Sequence, residues 1–202
     1  KQVDTSLIQL GRGFNGGDGT SAYTGAYIGS NGTTAYTAGS SNAASLTDAA
    51  IRRTIQRLDD QDVPMDGRFL VIPPSSRNTL MGLARYTEQA FVGEAGGGNT
   101  IRNGEIGNLY GVPVFTTTNA DTPNASDDGT GAAKAARVCL MGHKDSMILV
   151  EQQGIRSQVQ YKQEWLANLF TSDTIYGVKA MRTAATTGAA TSSSAFALAV
   201  PA

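Results

Sequence analysis

Hydrophobic positions fall in short, separated groups along this chain, and their spacing changes from group to group. In KQVDTSLIQL, Val3, Leu7, Ile8 and Leu10 recur near i, i+4, i+5 and i+7, which predicts the end of a helix over residues 1–10. The clearest helix is SLTDAAIRRTIQRLDDQD, residues 45–62, where Ile51, Ile55 and Leu58 share a face turned away from Arg52, Arg53, Gln56 and Asp60. Ser45 and Asp48 give it an S-x-x-D capping pattern, and Pro64 ends it. Between the two helices, Asn31-Gly32 separates two arms rich in Tyr and Thr. Asn-Gly suits a type I′ turn, so a hairpin is expected over residues 22–38, as a thin ribbon rather than part of a core.

Strand patterns follow. GRFLVIPPSS predicts a short buried strand, Phe69–Ile72, stopped by Pro73-Pro74, with Ser75 or Ser76 capping a helix over NTLMGLARY. LYGVPVFTTTN predicts a strand over 112–118, and ARVCLMG another. In MILVEQQGIRSQVQY, Ile155, Val159 and Tyr161 alternate with Arg156, Gln158 and Gln160, a period of two. Trp165, Leu166, Leu169 and Phe170 read as a short helical patch. TIYGVKAMR reads as a final strand, with Tyr176, Val178 and Ala180 opposite Ile175, Lys179 and Met181, pairing with 155–161. Residues 120–136 have loop composition. The tail TAATTGAATSSSAFALAVPA is of low complexity and is expected at the surface, so that cuts after Thr187 are tolerated.

Composition changes the picture in three ways. The 202 residues suffice for one large domain or two small ones. The 24 glycines, with Ala, Ser and Thr, concentrate at 11–45, 93–98, 125–133 and 183–194, which argues for long excursions from a compact core. A net charge of −1 gives no general attraction to nucleic acid or membrane. The longest apolar runs, such as Phe69–Ile72, are far too short to span a bilayer, and nothing at the start reads as a secretory signal. The chain opens at Lys1 inside a helix, so further sequence upstream is expected.

Candidate chemistry is sparse. Gly11, Gly13 and Gly16 in GRGFNG match the G-x-G-x-x-G spacing of a dinucleotide-binding turn. That turn needs a strand before it and a helix after it, and here a helix precedes while a loop follows. Gly11 and Gly13 read instead as left-handed helix stops. Cys139, the single cysteine, sits in an apolar strand and reads as a buried free thiol. His143 has Lys144, Asp145 and Ser146 beside it, but strand neighbours point to opposite faces, so a structural histidine is expected rather than a triad. Asp121, Asp127 and Asp128 lack calcium-loop spacing. Asp59, Asp60 and Asp62 read as a helix end and turn that offset Arg52 and Arg53. No catalytic, cofactor-binding or metal-ligating residue is assigned, and neither a cofactor nor an enzymatic activity is expected.

Four stretches in order carry a resemblance: LDDQDVPMDGRFLVIPP, GEIGNLYGVPVFTTTN, VCLMGHKDSMILVEQQGIRSQVQ and DTIYGVKAMRTAA. Together they resemble the major capsid (coat) proteins of tailed bacteriophages, with the Hong-Kong-97-like fold, and the short-tailed podovirus coat proteins in particular. The resemblance covers Leu46–Ala185, and Lys1–Leu10 looks like the end of the family's spine helix. It implies an α+β fold with a compact axial domain and an elongated peripheral domain. By segment it implies spine-helix end and Gly/Thr-rich hairpin at 1–45, axial domain at 46–150, returning peripheral strands at 151–185, and a low-complexity tail at 186–202. The loop 120–136 would project near a capsomer's central axis. The family's N-terminal arm and E-loop would precede Lys1, and the residues of its cross-linking chemistry find no match here.

The implied function is a structural subunit of an icosahedral virion shell, assembled in the host cytoplasm. Its partners would be copies of itself in hexameric and pentameric rings, scaffolding and portal proteins, and packaged double-stranded DNA in weak contact, with no membrane. Near-neutral charge suits a wall facing DNA. The alternatives are an encapsulin-like compartment shell, a Gly/Thr-rich surface or fibre protein, for which no repeat period is visible, and the dinucleotide enzyme.

Overall fold

A computed structural model describes residues 1–19, 22–37, 42–83, 108–123, 136–181 and 193–202. The first half of the chain forms α1 (Gln2–Gln9), β1 (Tyr27–Ile28), α2 (Asp48–Asp60), β2 (Arg68–Ile72) and α3 (Pro74–Met81). The second half forms β3 (Asn108–Leu109), β4 (Val112–Thr116), β5 (Ala136–His143), β6 (Met147–Lys162), β7 (Ala167–Ala180) and β8 (Ala195–Pro201). Six strands make a mixed sheet in the order β1-β8-β5-β2-β4-β3, and β6 and β7 make a separate two-stranded ribbon. The α+β class expected from the sequence is observed. Among the described residues no helix is long and apolar enough to cross a membrane.

The main core lies between one face of the large sheet and helices α2 and α3. Ile51 and Leu58 of α2, Leu70 and Ile72 of β2, Leu80 of α3 and Leu198 of β8 are fully buried there. Each such side chain contributes about 1.5–3 kcal/mol on leaving water. The period read in α2 places the right face inward. Its cap differs from the expected pattern: Thr47 is the N-cap, accepting from the Ala50 N–H at 3.3 Å and donating to the Ser30 carbonyl at 2.6 Å. Asp48 falls inside the first turn, where it pairs with Arg52 at 2.9 Å instead of closing a box with Ser45. Helix α3 starts at Pro74, before the expected NTLMGLARY, because a proline in the first turn gives up no helical hydrogen bond. Ser75 and Ser76 therefore lie within the helix, and the side chains make no cap. Strand β4 ends at Thr116, two residues earlier than expected.

The tail is the largest correction. Residues Ala195–Val200 are buried, not superficial, and β8 lies antiparallel to β5 from Ala136↔Pro201 to Gly142↔Ala195, with β1 parallel on its other side. Phe196, Leu198 and Val200 enter the main core, while Ala197 and Ala199 face a second cluster with Tyr23, Ala26, Tyr36 and Val138. The alanines that made this stretch look featureless are what lets a second layer pack closely on it. Cuts after Thr187 would remove an interior strand of the sheet, so they are not expected to be tolerated.

That second layer is the Gly/Thr-rich segment 22–37, which is a core lid rather than a thin ribbon. Its arms meet in a single bridge, Tyr27↔Ala35. The turn is not type I′: of Asn31 and Gly32 only Gly32 has positive φ, 62°, and the Asn31 side chain accepts from the N–H groups of Thr33 and Thr34. Upstream, a 3₁₀ segment, Leu10–Gly16, continues from α1 and buries Phe14 against Leu140 and Ala195. Gly11 and Gly13 are not left-handed stops; the left-handed residues are Asn15 (φ 52°) and Gly16 (φ 77°). A Cβ on Gly17 would lie 2.1 Å from the Arg12 carbonyl oxygen, so close backbone approach explains a glycine there.

Candidate functional site

The feature least explained by the core is the ribbon. Strand β6 is antiparallel to β7 from Met147↔Ala180 to Lys162↔Ala167. Two one-residue bulges on β6, between Glu151 and Gln153 and between Gln153 and Arg156, accommodate 16 residues opposite 14. At roughly 3.3 Å per residue the ribbon is about 45–50 Å long. The final strand does not pair with 155–161 as expected: Ile175 to Ala180 lie opposite Met147 to Gln153, and 156–162 pair with 167–173. The expected helical patch is also absent. Trp165 and Leu166 belong to the turn, while Leu169 and Phe170 belong to β7.

Paired residues share a face, so the register sorts the ribbon's side chains. Met147/Ala180, Leu149/Val178 and Glu151/Tyr176 lie on one face, which continues through Ser157/Ser172, Val159/Phe170 and Tyr161/Asn168. Near the base this face is covered: Tyr176, Val178 and Ala180 are half-buried, and the Ser6 hydroxyl of α1 lies 3.2 Å from the Tyr176 hydroxyl. Helix α1 has eight residues, about 12 Å, so it covers only a fraction of the length. Farther out Ile155, Val159, Tyr161, Trp165, Leu166 and Phe170 are all exposed. The expected one-face set of Ile155, Val159 and Tyr161 is two-thirds present, because Ile155 sits in a bulge outside the paired register.

Two devices fix the ribbon and the N-terminal segment to the sheet. At the end of β5, His143 starts a 3₁₀ turn, Lys144–Ser146, that redirects the chain into β6. Its Nε2 donates to the Asp66 carbonyl at 2.7 Å and its Nδ1 accepts from the Asp145 N–H at 3.2 Å. Both ring nitrogens are thereby engaged with backbone, which gives this side chain a structural role in the turn. The second device is a partly buried polar latch. Arg12 donates to Asp121 through Nε at 2.6 Å and its terminal nitrogen at 2.9 Å, and the Tyr23 hydroxyl donates to Asp121 at 2.8 Å. Burial foremost, with the Asp121 charge beside it, pushes the Tyr23 pKa far up, while the hydrogen bond to Asp121 raises that of Arg12. Sequence reading missed the latch because its members are about a hundred residues apart. It also overturns the expectation that the loop projects from its first residue: Ala120 and Asp121 are buried. Residues 124–135, with Asp127 and Asp128, lie outside the described residues.

The remaining singled-out residues are placed as follows. Gly11, Gly13 and Gly16 lie in the 3₁₀ segment after a helix, and a Cβ on Gly11 would meet Leu140 at 3.3 Å. Asp59 pairs with the buried Arg68 at 2.6 Å, while Asp60 is exposed; among the described residues no group of His, Cys, Asp and Glu could hold a metal. Arg52 and Arg53 are exposed on α2. Cys139 is a buried free thiol 3.5 Å from the Ser76 hydroxyl, and burial pushes its pKa up to about 12.

The sequence matches no protein-family model and no curated protein. The fold is that of phage capsid proteins, in line with the resemblance carried by the four ordered stretches. A chain from Mycobacterium phage Che8 superposes on 98% of this one with a TM-score of 0.66 at 16% identity. A chain of the Cyanophage P-SCSP1u capsid covers 96% with a TM-score of 0.57 at 16% identity, and one of the mature capsid of bacteriophage PhiM1 covers 75% with 0.53 at 18%. The present chain accounts for 57%, 59% and 45% of those chains respectively, so it spans about half of their length.

Proposed function

We propose that this chain is the structural subunit of an icosahedral shell of a tailed bacteriophage. It assembles with copies of itself into rings and a closed wall around double-stranded DNA. The observation that carries the reading is the likeness to the Che8 chain over 98% of this one. The architecture supports it: a stiff body built on the six-stranded sheet acts as the axial part, and the ribbon with α1 acts as the peripheral part that reaches neighbours. In this scheme the axial part takes in β1 with segment 22–37 and β8 as well as 46–146, and the peripheral ribbon starts at Met147 instead of at 151. Likeness to capsid chains favours a viral shell over a compartment shell or a fibre.

In this reading the protein works by contact and has no turnover. His143 serves the turn at the ribbon's base, and Cys139 lies in the core. Scaffolding and portal proteins are partners of the assembling shell, and DNA touches its inner wall weakly because the chain is nearly neutral. The product resides in the virion after assembly in the host cytoplasm. Negative-stain microscopy of the complete protein, expressed with any scaffold, tests this. Rings or closed shells are expected, and a strictly monomeric protein that turns over a small molecule would refute it.

A further inference from the structure

The helical run from α1 through Arg12 touches the body lightly, yet it ends at a residue that is firmly held. Helix α1 contains no buried residue, and among the described residues no backbone hydrogen bond ties residues 2–13 to the sheet. Helical backbone stops at Phe14 (φ −79°, ψ 156°). The Phe14 ring is buried in a cluster with Leu140 and Ala195, against which Met147 and Ala180 at the ribbon's base pack. Asn15 fastens the same point: its N–H donates to the Ser193 hydroxyl at 3.3 Å and its side-chain amide to the Gly25 carbonyl at 2.8 Å. Between Arg12 and this anchor stands Gly13. Its φ is not positive, and an added Cβ would meet only the Gly19 Cα, at 3.9 Å, an ordinary contact. Nothing in the folded chain requires a glycine there.

We propose that residues 2–13 form an arm that swings on Gly13, with Phe14 as its anchor and Asp121 as the lock that holds it against the ribbon. The device does not depend on what the chain assembles into. Asp121 belongs to the body: its carbonyl accepts from the Val138 N–H at 3.1 Å, and Arg137 donates to the Ala120 carbonyl at 2.9 Å. Its Oδ1 takes the Arg12 terminal nitrogen at 2.9 Å and the Thr122 N–H at 3.0 Å, and its Oδ2 takes Arg12 Nε at 2.6 Å and the Tyr23 hydroxyl at 2.8 Å. Arg12 is the one donor among these that the arm supplies. A bidentate, charge-assisted pair is directional and is lost as a unit. The arm's other ties are neutral: the Ser6 hydroxyl beside that of Tyr176, and Gly11 lying against Leu140. Gly13 works against the lock, because a glycine gives the open arm more backbone freedom than any residue with a Cβ. Two states follow, one with the arm over the ribbon's base and one with that base uncovered.

The experiment measures the distance between spin labels on Asp4→Cys, exposed on α1, and Ser157→Cys, exposed on the ribbon, in the complete chain. Cys139 is buried and stays unlabelled. With Asp121 in place one narrow distance should dominate. Asp121→Asn should raise the ratio of a longer, broader component to the narrow one roughly tenfold, and Asp121→Ala should raise it further. Adding Gly13→Ala to Asp121→Asn should lower that ratio about two- to fivefold, since alanine fits the helical backbone at 13 and restricts the open arm. Hydrogen exchange at β5 and β8 should keep its wild-type protection in Asp121→Asn, which separates release of the arm from unfolding of the body. An unchanged narrow distance in Asp121→Asn overturns the lock. A broad distribution already present with Asp121 intact also overturns it, because the arm is then not held. Loss of β5 and β8 protection together with the arm overturns the arm as a separate unit, and a ratio that Gly13→Ala does not lower overturns Gly13 as the hinge.

Discussion

Replacing Leu198 by alanine probes the least expected placement in the fold, the last strand held inside the sheet between β1 and β5. Leu198 is fully buried, pairs with Cys139 on β5 and with Tyr27 on β1, and points into the main core with Ile51, Leu58 and Leu80. Truncating such a leucine costs its transfer energy and leaves a cavity, roughly 2–5 kcal/mol depending on how far the surroundings collapse. Strands on both sides hold the backbone of β8, so little collapse is expected and the cost should be about 3–5 kcal/mol. For a chain of this size each kcal/mol lowers the thermal midpoint by about 2–4 °C, so the predicted drop is roughly 6–20 °C. Circular dichroism during heating and in urea would measure it, at concentrations where sedimentation shows no assembly, since association raises apparent stability. Met65→Ala, at an exposed site, is the control and should stay within about 0.5 kcal/mol of wild type. If Leu198→Ala shifts the midpoint no more than that control, β8 is not in the core and the sheet order is wrong. A chain ending at Ser194 lacks the whole strand and should be insoluble.

The latch makes a second prediction. Asp121→Ala leaves the Tyr23 hydroxyl buried without a partner and the partly exposed Arg12 uncompensated, and should cost about 2–3 kcal/mol by urea denaturation. Asp121→Asn keeps an acceptor for Tyr23 and should cost less; equal losses would show that the charge and the hydrogen bonds do not act as argued. Alkaline pH makes a third. Cys139 and Tyr23 both have folded pKa values above their unfolded ones, so the unfolded chain releases protons first, from roughly pH 8.5–10 upward. Stability is therefore complete below that range and falls above it, continuing to about pH 12 for Cys139. Urea midpoints that stay flat through this range, or a native thiol that reacts with a disulfide reagent as fast as the unfolded chain, would contradict the burial of these groups.

Sequence alone determined the elements whose signal is local. Helix α2 shows a face of Ile51, Ile55 and Leu58 because one helix turned against one core imposes a 3.6-residue period. Strand β2 with its stop at Pro73-Pro74 and the apolar run of β5 were legible because their signals are equally local, while the order of four stretches added only a resemblance to phage coat proteins. Tertiary structure decided the rest. β8 is buried on both faces between close neighbours, so alanine fits and the hydrophobic contrast that marks a strand disappears. Trp165, Leu166, Leu169 and Phe170 mimic a helical period, but they straddle a turn and a strand whose register is set by two bulges that no local pattern announces. Arg12, Tyr23 and Asp121 are ordinary residues in the sequence and become a latch only when the chain brings them within hydrogen-bonding distance. The exposed end of the ribbon likewise has meaning only in three dimensions, because exposure depends on what the fold leaves uncovered.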